Sequence, residues 1–191
     1  VTPGANLGPY FNTATASGDS PSGATANDTS DNGTVPDDNG NGDPTDDSDT
    51  TPVSFAEVPE IGLAKSIVTT TNNGDGTYTL LYRLLVENTG DVDLTNVQVT
   101  DDLATTFAGA NGFTVDAITS PDFTVVFPYS GLNLLAGTDD LDFGTSGTID
   151  VTVTMDTGAT LGPYSNSANA AGESPVGAVV NDTSDDGTDV D

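Results

Sequence analysis

The chain has 191 residues, 30 of them acidic against two basic, and a formal charge of −28 at neutral pH. That balance excludes nucleic acid and anionic lipid as partners, because like charge repels both. The absence of Cys and His excludes disulfides, zinc and haem centres of the usual kind, and catalysis through a thiolate or an imidazole.

The chain opens on a repeated motif. "LGPYFNTATASGDSPSGATANDTSDNGT" from Leu7 aligns without a gap with "LGPYSNSANAAGESPVGAVVNDTSDDGT" from Leu161, an offset of 154 residues. Tandem arrays of one structural unit carry this signature. Residues 1–26 are therefore expected to be the final strand or strands of a preceding repeat. Alternatively, they form a donor strand that completes a neighbouring subunit's sheet. The first reading is preferred because the chain carries its own copy of that strand. Either way, the expected partners are neighbouring copies of the same repeat, joined covalently or by strand exchange.

An acidic linker is expected over residues 27–54. Eight aspartates fall between Asp28 and Asp49, and no basic side chain precedes Lys65. Such a segment repels itself unless a cation supplies the counter-charge. Asp37, Asn39, Asn41 and Gly42 fit D-x-[DN]-x-[DN]-G, the first half of a calcium loop. Asp28, Ser30, Asn32 and Gly33 fit a relaxed version, and Asp182, Ser184, Asp186 and Gly187 repeat it one period later. Side chains at alternate positions of a tight coil point toward one ion, glycine allows the bend, and the seventh residue, Asp43 or Thr34, offers its carbonyl. The bidentate Glu of the twelfth position is missing. Asp46, Asp47 and Asp49, and for the earlier loop Asp37 and Asp38, are the candidates to replace it. With no flanking helices in the pattern, the expectation is calcium-clad linker loops that bind Ca²⁺ weakly. The plain alternative is a solvated acidic spacer.

A β-domain is expected over residues 55–180, with 181–191 opening the next linker. Ile61, Leu63 and Ile67 alternate with small and polar residues, and "NNGDG" from Asn72 marks a hairpin turn. Tyr78, Leu80, Tyr82, Leu84 and Val86 share one face of the next strand, with Arg83 and Glu87 opposite and expected to pair. Val97 and Val99 give a third strand. Phe113 and Val115, and then Phe123, Val125 and Phe127, suggest two short ones. Ile149, Val151, Val153 and Met155 point inward from another, and Tyr164, Ala168 and Ala170 from the last. About seven short strands with no convincing helix predict an all-β, Ig-like sandwich.

"YRLLVENTGDVDLTNVQVTDDL" (Tyr82 to Leu103) resembles the signature of a family of bacterial and archaeal cell-surface repeats of unknown function, and "GPYSNSANAAG" resembles its closing strand. The resemblance implies Ig-like domains in tandem arrays on secreted, wall-anchored or fibrous proteins. It implies an extracellular, structural or adhesive role, and no reaction.

Lys65, the only lysine, shares by parity the apolar face of its strand. Asp101 lies on the face of Val97 and Val99, and Asn166 on that of Tyr164 and Ala168. A lysine, an acid and an amide all directed into a core resemble the self-forming isopeptide bonds of bacterial pilin and adhesin domains. There a neutral lysine amine attacks an Asn amide while a buried carboxyl moves protons. Glu87 is a weaker acid candidate because its parity is outward, and a plain buried Lys65–Asp101 ion pair is the alternative. Asn12 holds the place of Asn166 in the earlier copy. Taken together, these features predict a segment of an extracellular filament or surface stalk, its Ig-like domains joined by calcium-stiffened linkers. A donor-strand pilin and a ligand-binding adhesin are the alternatives, the latter using loops around Phe107–Gly112 or Phe127–Asn133. Beyond the calcium loops no acids converge in the pattern, so no enzymatic activity is expected.

Overall fold

The computed structural model describes residues 6–190, which fall into two compact units divided after Ala56. The first unit is built from short strands. β1 (Tyr10–Asn12) and β2 (Thr15–Asp19) are followed by β3 (Thr25–Thr29) and, beyond the acidic stretch, β4 (Thr51–Val53). β1 pairs with β4, and β2 with β3, each antiparallel. A single 3₁₀ turn, Pro44–Asp46, interrupts the acidic stretch, which is otherwise bends and coil. No apolar side chain of this unit is buried among the described residues. The strands expected within 1–26 and the acidic stretch expected within 27–54 fall in one coreless unit, in which β3 and β4 bracket the acidic loop.

The second unit carries the core. In chain order its strands are β5 (Gly62–Asn72), β6 (Thr77–Glu87), β7 (Leu94–Asp101), β8 (Gly112–Thr119), β9 (Asp139–Leu141), β10 (Ser146–Asp156), β11 (Ala168–Glu173), β12 (Val179–Thr183) and β13 (Asp185–Asp186). They form a five-stranded sheet of order β13-β5-β6-β10-β8 and a four-stranded sheet of order β12-β11-β7-β9. Alternation explains the layering. Leu80, Tyr82, Leu84 and Val86 of β6 and Ile149, Val151, Val153 and Met155 of β10 are buried from one sheet; Leu94, Val97 and Val99 of β7 and Ala168 and Ala170 of β11 are buried from the other. All join a single apolar cluster. The protein is therefore all-β, and its second unit is a two-sheet sandwich.

Several local expectations are corrected. The hairpin turn lies where NNGDG places it, with Gly74 and Gly76 at positive φ (81° and 97°), conformations that glycine adopts without steric cost. Ile67 keeps its parity, opposite Tyr82 and before the bulge that separates it from Thr69, but it is 55% exposed and lines a cavity with Lys65 and Tyr82 instead of packing in the core. Phe123, Val125 and Phe127 form no strand. Their segment is irregular and held by an isolated bridge between Val125 and Leu135. The last strand starts at Ala168, leaving Tyr164 and Asn166 in the preceding coil. One helical turn, α1 (Leu103–Thr106), is present, capped by Asp102, whose carboxylate accepts from the Thr105 N–H and hydroxyl. Residues 181–186, expected in a linker, instead belong to β12 and β13 at the edges of the sandwich.

Candidate functional site

Two chemically distinct sites are built, one in each unit. In the first, the loop from Asp37 to Asp47 folds back on itself. The Asp37 carboxylate accepts from the N–H groups of Asn41 and Gly42 at 3.1 and 2.9 Å, and Asn41 Oδ1 accepts from the Asp43 N–H at 2.7 Å. Asn39 and Asn41 donate their side-chain amides to Asp47 and Asp46, each at 2.7 Å. Asn39 and Asn41 thus meet Asp47 and Asp46 through their amide nitrogens, while Asp37 is taken up by the backbone of the turn. The glycine of the motif, Gly42, bends the chain at φ 88°.

A second group of carboxylates meets this loop from β3. Burial raises the proton affinity of Asp31 above the usual carboxylate range; the Asp49 N–H donates to it and opposes the shift, and crowding by Asp47, Asp38 and Asp28 adds to it. Asp38 is raised chiefly by Asp47 beside it, with burial and Asp49 adding to the effect. Asp28 and Asp31 each hold one oxygen that neither water nor a hydrogen-bond donor reaches. Asp31 was not among the expected ligands, because reading alternate positions from Asp28 steps over it. A cavity of about 240 Å³ lies between Asp28, Asp31, Thr34 and Pro36. The donors available are all carboxylate, amide and hydroxyl oxygens, the set that suits a hard divalent cation. Among the described residues, however, no three acid side chains are already gathered tightly enough to cage an ion.

The serines and the later copy have other tasks. Ser30 Oγ accepts from the Ala14 N–H at 2.9 Å, and Ser184 Oγ accepts from the Ala168 N–H at 3.0 Å. Each serine thus closes its own hairpin. Asp182 accepts from the Leu63 N–H at 2.7 Å, and Asp186 sits in β13 beside Lys65 in a parallel pairing. The expected calcium loop at Asp182, Ser184 and Asp186 is therefore not formed: the sandwich claims these groups for its edge. Asn32 is exposed and Thr34 lines the cavity.

The second site crosses the sandwich. Lys65, on β5, is 4% exposed, and Asp101, at the end of β7 in the opposite sheet, is 1% exposed. Lys65 Nζ bonds Asp101 Oδ2, and the same oxygen accepts from Asn166 Nδ2 at 3.3 Å. The Asn166 carbonyl accepts from the Thr106 hydroxyl at 2.8 Å, which α1 holds in place. Asp101 Oδ1 is buried without a partner. The Tyr82 ring lies beneath the amine, 4.7 Å from Nζ to the centroid. Burial pushes the Lys65 amine below the ordinary lysine range, against the pull of Asp101. The Tyr82 hydroxyl is pushed up to about 12 by burial and then by Asp101. A cavity of about 340 Å³ opens beside Lys65, Tyr82 and Asn166. The structure brings Lys65, Asp101 and Asn166 into contact and adds Thr106, whose hydroxyl gives no signal in the sequence until α1 places it. Glu87 is half-buried on β6 and has no part here, and Arg83 pairs not with it but with Asp150, its register partner on β10, through two 2.7 Å bonds.

No family model matches this chain, and no curated protein matches it. Among solved structures, a biomass-sensing module of an Rsgi2 protein from Clostridium thermocellum, described as resembling a family 3 carbohydrate-binding module, is 15% identical. It covers 53% of this chain and 67% of its own, with a TM-score of 0.31. The archaellum periplasmic stator protein FlaG from Sulfolobus acidocaldarius is 14% identical over 63% of this chain and 98% of its own, at a TM-score of 0.19. Likenesses at this level carry no argument about function. Among the described residues no helix is long and apolar enough to cross a membrane.

Proposed function

We propose that the chain is a structural segment of an extracellular filament or cell-surface stalk, in which Ig-like beads alternate with acidic, calcium-binding joints. One observation carries this reading: the same hairpin occurs twice, once built into a sandwich and once open. β2 and β3 pair in the register of β11 and β12 shifted by 154 residues, with Thr15 opposite Thr29 as Asn169 is opposite Thr183. The serine bonds to Ala14 and Ala168 match as well. In the second copy β11 also pairs with β7, and Ala168 and Ala170 are 0% and 1% exposed. In the first copy β2 pairs, among the described residues, with β3 alone, and Ala14 and Ala16 are exposed. An open strand edge beside a small apolar face is an invitation to pairing. The occupant that fits it is the β7 edge and inner face of another copy of this repeat.

The acidic loop lies directly after that hairpin. Asp37, Asn39, Asn41, Asp46 and Asp47 would hold one ion with the Asp43 carbonyl, and Asp28, Asp31, Asp38 and Asp49 would surround a second. Bound Ca²⁺ supplies the positive charge the loop lacks, and the loop then becomes a fixed joint instead of a self-repelling tether. Extracellular calcium modules bind at roughly 10⁻⁴–10⁻³ M, and this loop belongs in that range. The localisation follows from the same reading, since calcium at that level is extracellular.

Limited proteolysis and circular dichroism test the joint. After EDTA, cleavage within residues 28–49 is rapid, and millimolar calcium suppresses it. Identical cleavage in both conditions would sink the calcium reading. Denatured mass of the native polymer separates the two forms of pairing: one long chain indicates tandem repeats, short chains indicate strand exchange.

A further inference from the structure

We propose that Lys65 and Asn166 become joined by an amide bond between Nζ and Cγ, formed by the folded protein itself with release of ammonia, Asp101 acting as the proton carrier and Thr106 holding the carbonyl oxygen. The inference does not depend on the filament reading or on calcium.

One carboxylate oxygen carries the argument. Asp101 Oδ2 touches both the nitrogen that would attack, Lys65 Nζ, and the nitrogen that would leave, Asn166 Nδ2. A proton removed from the first is therefore already beside the second. The oxygen of the carbonyl between them accepts from the Thr106 hydroxyl at 2.8 Å, a donor that also lies 3.1 Å from the Asp102 carbonyl. That donor also stabilises the charge that collects on oxygen when the carbon becomes tetrahedral. Lys65 is enclosed among apolar residues and Tyr82, where an ammonium ion is poorly solvated and a neutral amine is favoured. The cavity beside Asn166 offers the leaving ammonia a way out.

The step balances. The Lys65 ammonium passes one proton to Asp101, leaving an amine and a carboxylic acid. The amine lone pair attacks Asn166 Cγ, the C–O π electrons move to oxygen, and the Thr106 hydroxyl holds the resulting oxyanion. Asp101 gives its proton to Nδ2 and recovers one from Nζ. The Cγ–Nδ2 bond then breaks, ammonia departs, and Nζ–Cγ remains as a secondary amide. No oxidant, reductant or cofactor is consumed. Holding nucleophile and amide together on one carboxylate supplies the proximity that an unactivated amide requires.

Intact mass of the purified chain, followed by peptide mapping, decides the matter. The expected result is a chain one ammonia lighter than its sequence and a branched peptide linking Lys65 to Asn166. Asn166→Ala and Lys65→Arg should each have the full mass of their sequences. Asp101→Asn, which keeps the shape of the acid, should lower the cross-linked fraction at least tenfold. A wild-type chain of full mass would overturn the proposal. So would ammonia loss that persists in Lys65→Arg, which would mark succinimide formation at an Asn–Gly pair. Loss of water with a Lys65–Asp101 link would show that the carboxyl, not the amide, is the acceptor, and would overturn it equally. Mapping the wild-type chain keeps the test valid should any variant fail to fold.

Discussion

At the scale of single residues, Lys65 has two fates, and they differ in their response to pH. As a free amine it is held below the ordinary lysine value of 10.5 by burial. The unfolded chain then binds the proton more tightly than the folded one. Stability therefore rises with pH through the window below 10.5 and is lost as pH falls through the folded-state value. In Asn166→Ala, where the amine stays free, the denaturation midpoint should climb as pH rises from the folded-state value toward 10.5. In a cross-linked wild-type chain Nζ is an amide nitrogen, and that climb should vanish. Chemical denaturation at several pH values makes the comparison; equal slopes for the two proteins would count against the bond. The sequence exposed this site because period-two alternation assigns faces, and a lone lysine on an apolar face stands out. It hid Thr106 because a hydroxyl on a single helical turn looks like any surface threonine. It gave the face of Ile67 but not its exposure, because parity assigns a face and not a depth of burial.

At the scale of elements, two comparisons are open. A link between residues 65 and 166 would tie β5 to the segment entering β11, closing a loop of about one hundred residues. Chain-entropy arguments developed for disulfides give about 4–5 kcal/mol for such a closure. Asn166→Ala should therefore lower the Tm of the second unit by about 10–20 °C in a calorimetric scan. The repeated hairpin offers the other comparison. Ala170→Asp places an unpaired charge in the core and should destabilise the sandwich by about 3 kcal/mol or more. Ala16→Asp, its counterpart on the open hairpin, should change the stability of the chain by no more than about 0.5 kcal/mol. Urea unfolding of both variants tests the pair; equal losses would mean that the first hairpin is already packed. The repeat itself was plain in the sequence. What it could not reveal is that Ser30 and Ser184 bond within their hairpins, because D-x-S-x-[DN]-G reads equally well as a ligand series and as a strand end. Asp182 was taken up for the same reason: a carboxylate on the edge strand β12 accepts the Leu63 N–H of β5 before it waits for an ion.

At the scale of the whole molecule, the question is whether calcium acts as a ligand or as dilute counter-charge. A net charge of −28 makes general repulsion a serious competitor, since any salt would relax it. The two mechanisms separate on concentration. Screening by monovalent salt requires the Debye length to fall to the spacing of the charges: it is about 8 Å at 0.15 M and about 3 Å at 1 M. Coordination acts instead at about 10⁻³ M, where ionic strength barely changes. Hydrogen exchange across residues 28–49 should therefore slow on adding millimolar calcium to 0.15 M NaCl, and should not slow on adding the same ionic strength of NaCl. Magnesium should protect less, because it sheds its water reluctantly and demands a tighter octahedron than a loop of this kind supplies. Lowering the pH should cancel the calcium effect first through Asp31 and Asp38. Crowding and burial already raise their proton affinity, so they surrender their charge at a higher pH than an isolated aspartate. Protection that follows ionic strength alone, whatever the cation, would reduce the loop to a charged spacer and remove the joint from the proposed filament.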